Sequence, residues 1–359
     1  MNHHPLPPIK NSTVTAGKDN IIRQDYQTQH QQINIKVGDD FSDILIPITI
    51  SDTEFSVGIW MYFLPRNRPP ELSGLFRDGI INMLQQHGFH KRFRDNNTYF
   101  FLQETNNQIQ EVEPVNMKDF VFGQIKKFEL PLKFDYRGCH VVTTQEKLRE
   151  TFERQSHTIF NESFLELLPN HTKPILRDTK KSAFFFFKNT IVQVTNGEHH
   201  LIPYDQIGDV CIWKKQILNH DFEYMQRHRE CHFAKFINNV SNNEPGREIA
   251  FISAIGYLLH NYIDPSKGQA VVAYDEEITD IKHPMGGTGK GLFAQAIGQM
   301  RVTTKIDGKK FDPNDRFRFQ NVKDDTQVVW FDDAKPNLAF EVFHSNLTDG
   351  WMIEQKHKD

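Results

Sequence analysis

The stretch HPMGGTGKGLFAQAIGQM, His283 to Met300, sets three glycines and a lysine directly ahead of an apolar-periodic run. Gly286, Gly287 and Gly289 let the backbone curl and turn its N–H groups inward on an anion, and Lys290 adds a reaching cation. This is the chemistry of a phosphate-cradling loop, with two departures from the pattern GxxxxGK[ST]. Pro284 stands where the first glycine would fall, and Gly291 stands where a Ser or Thr would hold magnesium. Water can take that ligand position, because magnesium retains several waters. Thr288 carries a nearby hydroxyl, and its place in the sequence suggests a structural role in the loop. Taken alone, the motif reads equally as a glycine-rich turn before a core helix.

A second group lies about forty residues on. TQVVWFDDAKPN gives a continuous apolar run, Val328 to Phe331, that ends in Asp332 and Asp333. Two carboxylates at the tip of a buried strand can divide the work of a phosphoryl-transfer site. Asp332 would orient magnesium and its waters, and Asp333 would polarise the attacking water. A lone pair of aspartates more often closes a strand in a solvated turn; it is the order of the two motifs that favours ATP with magnesium. Lys290, Asp332 and Asp333 are then the catalytic set, with Gly286, Gly287, Thr288, Gly289, Lys290, Gly291 and Leu292 around the phosphates.

Particular elements must carry these groups. QAVVAYD, Gln269 to Asp275, is a short β-branched run expected to be the strand feeding the loop. After the glycines, Leu292, Phe293, Ala296, Ile297 and Met300 share one helical face, so a helix follows whose first amides and dipole face the anion. Upstream, LFRDGIINMLQQHGF and NMKDFVFGQIKKF have helical spacing, and two strands flank Asn106-Asn107. Residues 144 to 168 read as mostly helical. SAFFFFKNTIVQVTNGEHHLIPY reads as a hairpin about Asn196-Gly197, and EPGREIAFISAIGYLLHNYI as a helix with Pro245 near its start. The expected division is a polar, flexible tail over 1–40, a small α+β module over 41–130, a helical and β-hairpin region over 131–264, and the ATPase core over 265–359.

Composition narrows the classes. Lys and Arg number 42 against 46 Asp and Glu, so any nucleic-acid surface must be local rather than global. Cys139, Cys211 and Cys231 are too few and too scattered for a disulfide framework, which suits a reducing cytoplasm. The first twenty residues lack the apolar segment of a secretory signal, and the longest apolar runs are too short to span a bilayer. A cytoplasmic protein is expected, with no membrane partner.

GGTGKGLF, KIDGKKFD, VVWFDDA and LTDGWMIEQKHKD together resemble the helicase part of phage and mobile-element primase-helicase proteins. Those are superfamily 3 helicases within the AAA+ group. The resemblance covers about residues 270–359, more weakly 170–262, and only loosely 1–130. It implies an α/β P-loop NTPase fold preceded by smaller α+β modules. It further implies ATP and magnesium as cofactors, single-stranded or forked DNA as partner, a homo-oligomeric ring such as a hexamer, and a bacterial cytoplasm as setting. Glycine after the loop lysine occurs in that branch. The family's hairpin beyond the acidic pair matches Leu347 to Lys358, which makes Lys356, His357 and Lys358 the strand contacts, although a KHK run also reads as a solvated terminus. The family's sensor strand and arginine finger have no match here, so the resemblance implies a truncated chain or gene fragment, or completion by another chain. Primase-type motifs are not evident, and a primase activity would belong to a separate protein.

Two other functions stay open: a nucleotide-binding initiator or adaptor without turnover, and an AAA+ ATPase that remodels protein complexes. Weaker candidates are QRHRECHF, where His228, Cys231 and His232 lack a fourth zinc ligand at recognisable spacing, and HGFHKRFRD, which mixes cations with Phe89 and Phe93. KIDGKKFDPNDRFRF, lying between the two ATPase motifs, could meet nucleic acid or line a subunit interface.

Overall fold

The computed structural model describes residues 47–94, 98–127, 131–224, 231–275, 287–335, 337–349 and 351. The expected tail over 1–40 lies outside the described residues. The chain opens with an antiparallel sheet of β1 (Pro47–Thr49), β2 (Glu54–Val57), β3 (Trp60–Phe63) and β4 (Glu71–Leu75). Then follow α1 (Arg77–Gln86), β5 (Phe89–Phe93), β6 (Tyr99–Thr105), β7 (Gln108–Val112) and α2 (Pro114–Lys127). The β6–β7 turn is tight because Asn106 and Asn107 both take left-handed backbone, φ 52° and 61°, which suits asparagine best after glycine. Next come the hairpin β8 (Leu132–Tyr136) and β9 (Cys139–Thr143), then α3 (Gln145–Ile159) and α4 (Glu162–Leu165). Thr144 caps α3 by accepting the Lys147 amide, and Asn161 caps α4 through Phe164.

The expected boundary at residue 130 does not coincide with a break in packing. One hydrophobic core runs from Phe55 through Met117 and Phe134 to Leu168. Leu132, Phe134 and Tyr136 alternate inward along β8 and stack on the first sheet, with Phe55 and Tyr136 ring centroids 3.8 Å apart. Alternation in sequence says that a strand has an apolar face; it does not say which partner covers it.

A sheet of β10 (Ala183–Phe186), β11 (Ile191–Val194) and β12 (His199–Ile202) follows, turning at Gly197 between the last two strands. It has one strand more than the hairpin expected there. A short strand β13 (Ile212–Trp213) then pairs in parallel with β7, so this region reaches back to the first. Helices α5 (His232–Val240), α6 (Pro245–Leu259) and α7 (Lys290–Gly298) precede β14 (Thr303–Asp307), β15 (Val328–Asp332) and the short α8 (His344–Thr348). β14 and β15 pair in parallel, in register from Thr303–Val328 to Asp307–Asp332.

Arg301, just past α7, is the buried tie of this part. It donates to the Leu259 carbonyl at the end of α6, to the Phe184 carbonyl in β10 (2.8 Å) and to Asp178 Oδ2 (2.9 Å). Its guanidinium lies 4.1 Å from the centroid of the Phe185 ring. Asp178 is satisfied in turn by the amides of Phe184 and Asn261. A charge so enclosed is tolerable because nearly every donor is used. No helix among the described residues is long and apolar enough to cross a membrane.

Candidate nucleotide site

The loop that reaches Lys290 must reverse sharply into α7, and Gly289 makes the reversal with φ 96°, as Gly287 does with φ 93°. A side chain at 289 would be strained twice, because its Cβ would also fall 2.8 Å from the Phe236 ring. Gly286 lies outside the described residues. From Lys290 onward α7 presents Phe293 and Ile297 to Ile237 of α5, to Phe251 and Leu258 of α6 and to Val328 of β15. The helix that carries the lysine is thereby seated against the strand that carries the acidic pair. Leu292, expected on the same apolar face, instead points outward at 51% exposure. Position 292 falls off the stripe that positions 293 and 297, four apart, define.

Around Lys290 the polar geometry is close. Its Nζ donates to Asp275 Oδ1 at 2.5 Å and to Thr288 Oγ1 at 3.0 Å, and the Thr288 hydroxyl donates to the same Asp275 oxygen at 2.5 Å. The bonds from Lys290 and Thr288 hold the Asp275 carboxyl below its ordinary range. A side chain at Gly291 would meet nothing within 4 Å, so that position is open as well as lacking a hydroxyl.

The run Gln269 to Asp275 is not a strand: among the described residues no ladder pairs with it, and Val271, Val272 and Tyr274 are exposed. β-Branched residues favour extended backbone, but a strand also needs a neighbour to bond. This one is pinned at its start, where Tyr257 Oη donates to the Gln269 carbonyl at 2.9 Å.

At the acidic pair, β15 delivers Asp332 as its last residue and Asp333 as the turn that follows. Asp333 has φ 54°, a backbone that aspartate tolerates better than most residues. Lys305 of β14 meets Asp332 at 2.6 Å while lying over the Trp330 ring, and Lys309 meets Asp333 at 3.0 Å. The Asp333 carboxylate raises the Lys309 ammonium above its ordinary value. Gly308 lets the two strand ends approach: its amide donates to the Asp332 carbonyl at 2.7 Å, and an added Cβ would meet the Ala334 backbone at 2.7 Å. Asp307, opposite Asp332 in the ladder, ties its own turn by accepting the Lys309 and Lys310 amides. Burial would raise its carboxyl, and those amides outweigh that and lower it.

Sequence reasoning missed Asp275, Lys305 and Lys309 as partners of these groups. The two lysines sit two before and two after Asp307 in a stretch that reads as a nucleic-acid or interface segment rather than as a strand, so their pairing with the acidic residues rests on the β14–β15 ladder, which local sequence does not announce. Asp275 and Lys290 lie 15 residues apart with no helix or strand period joining them, so spacing gives no signal for their pairing.

The segment from Leu347 does not begin as a hairpin; Leu347 and Thr348 finish α8. Trp351 packs edge-on against Phe319, with centroids 4.9 Å apart. Lys356, His357 and Lys358 lie outside the described residues, as does His228 of the weak zinc candidate. Cys231 caps α5 by accepting the Ala234 amide. Among the described residues no three His, Cys, Asp or Glu side chains gather as a metal site. In HGFHKRFRD, Arg92 is engaged by His171 and the Lys173 carbonyl, and Arg94 by Glu111 and Asp324. Those contacts give the stretch a structural role.

No protein-family model matches the chain, and no curated protein matches it.

Proposed function

We propose that the chain is an ATP-dependent DNA helicase of the superfamily 3 kind, serving replication of a phage or mobile element. The observation that carries this reading is the seating of α7 on β15. It brings a helix led by left-handed Gly289 and by Lys290 against a strand that ends in Asp332, with Asp333 in the turn after it. The donor set suits a nucleoside triphosphate: a loop curled by left-handed Gly287 and Gly289, one lysine and a helix N-terminus for the phosphates. It suits magnesium too, which is held by one or two carboxylates and the phosphates rather than by a full protein cage.

In this reading Lys290 neutralises charge on the transferring phosphoryl group, and the loop amides fix its position. Asp332 holds the magnesium side of the site, and Asp333 orients the attacking water. Magnesium, when bound, supplies charge neutralisation between the phosphates. Lys305 and Lys309 must release the two carboxylates for them to do this. DNA contact would come from Lys356, His357 and Lys358 in a ring of copies.

ATP hydrolysis, measured with and without single-stranded DNA, tests the reading. DNA should stimulate turnover, and Lys290→Ala should lower it about a hundredfold or more. Turnover that DNA leaves unchanged would point to an ATPase acting on protein complexes. A second reading, a nucleotide-binding adaptor without turnover, is favoured by the capture of both carboxylates in lysine ion pairs. ATP binding with no hydrolysis would establish it in place of the first.

A further inference from the structure

Lys290 is already engaged by an anion. Asp275 Oδ1 holds its ammonium and the Thr288 hydroxyl at 2.5 Å each, on the loop side of α7 where a polyphosphate would have to lie. One carboxylate oxygen, Oδ1, thus stands in for a phosphate oxygen. It brings a single negative charge, where a triphosphate brings several. The segment that carries it is pinned at Gln269 through Tyr257; from there to Tyr274 it is exposed and without a ladder partner among the described residues, and only Asp275 at its end is half-buried. Its outer end can therefore leave Lys290 without dismantling a sheet.

We propose that Asp275 is a displaceable anionic latch that occupies the Lys290 anion seat until a polyphosphate expels it. The proposal rests on the nucleotide reading given above and adds a regulation of the same site. Binding then draws only on the fraction of molecules with the latch open, so the apparent affinity is weakened by that fraction. A latch shut nine-tenths of the time costs about tenfold. The latch also discriminates among anions. A monoanion exchanges one ion pair at Lys290 for another and gains little. A triphosphate replaces the carboxylate and in addition takes up the loop amides and the helix end, with which Asp275 makes no hydrogen bond among the described residues. A displaced Asp275 that remained beside the phosphates would repel them, so opening has to be a real excursion of the segment.

Binding of magnesium–ATP and of tripolyphosphate to the full chain, by titration calorimetry, tests this. The set comprises the wild type, Asp275→Asn, Lys290→Ala and the double variant, each shown by thermal unfolding to be folded. Asparagine keeps the shape of aspartate and removes its charge. The expected result is that Asp275→Asn tightens both ligands about tenfold and that the gain vanishes in the Lys290→Ala background. If the wild type binds in a Lys290-dependent manner and Asp275→Asn binds equally or more weakly, the latch is overturned and the nucleotide reading stands. A gain that persists without Lys290 also overturns it, because the carboxylate would then act elsewhere. If none of the four binds either ligand, the nucleotide reading and the latch fall together.

Discussion

Phe55, Ile80, Leu84, Met117 and Ile125 are all at 0% exposure in the first core, while the equally apolar Val328 to Phe331 of β15 are each only partly covered. Helix α6 has no buried residue, and Ile249 and Ile252 stand open on it. The first region packs three sheets and four helices around one core. The region of the candidate site hangs on a few anchors, chiefly Phe293, Ile297 and Arg301. Local opening concentrates where buried contacts are few, so the part that carries Gly287 to Lys290 should open at lower free energy than the first core.

The comparison can be broken most directly by truncating matched aromatics. Phe55→Ala should cost about 4 kcal/mol and Phe293→Ala about 2 kcal/mol, read by denaturant unfolding. Phe55 is enclosed by Tyr62, Phe134 and Tyr136, whereas among the described residues Phe293 has one ring neighbour, Phe251. Equal costs would erase the distinction. Arg301→Gln should cost about 3 kcal/mol, because it leaves Asp178 buried against an uncharged partner. Its effect should fall on the unfolding of α6, α7 and β10 and leave the first core's transition in place; hydrogen exchange resolves the two.

A smaller effect comes from acid. His171 is buried, with Nε2 donating to Glu104 (3.1 Å) and Nδ1 accepting from Arg92 (2.9 Å), which fixes the neutral ring. Burial lowers its pKa, with Arg92 and His90 adding to this, and the Glu104 contact opposes. For Glu104, burial pushes the carboxyl up, but bonds from Lys173 and His171 outweigh it and lower the pKa. Both folded values lie below the unfolded ones, so the stability each gives is full above the unfolded value and is lost as pH falls. The loss should begin below about pH 6.5 with His171 and be joined below about pH 4.5 by Glu104, with a slope no steeper than about 1.4 kcal/mol per pH unit for each proton. His171→Gln should flatten the upper part of that curve. An unchanged profile would remove this network from the account of the first core.

The smallest effect belongs to Gly291→Ser. With open space around the position and a helical setting, stability should change by no more than about 0.5 kcal/mol. On the proposed reading a hydroxyl there would supply a magnesium ligand, so tighter magnesium dependence of nucleotide binding is the expected result, and an unchanged dependence would count against that reading.

Local signals were legible in the sequence. The Asn106-Asn107 turn, the helix after Gly289 and the strand ending at Asp332 follow from residue types within a few positions of one another. What was not legible depends on who lies next to whom. Gln269 to Asp275 has strand composition and lacks a partner, and the run from Leu132 onward packs backward across an expected boundary. The grip of Asp275 on Lys290 is likewise a tertiary fact. Leu292 shows the limit inside one helix: with Phe293 and Ile297 on the buried stripe, an apolar residue one step off it faces water.

Arg301 and Asp178 lie 123 residues apart in the chain. At a synthesis rate of roughly 10 residues per second, Asp178 would leave the ribosome roughly ten seconds before its guanidinium partner exists. The core that ends at Leu168 has all its parts by then. The expected order of birth is therefore a finished first region, then a waiting β10–β12 sheet with an uncompensated acid at its root, then closure when Arg301 arrives. Pulse proteolysis of stalled nascent chains would show protection of the first region before residue 301 emerges, and of residues 178–187 only afterwards.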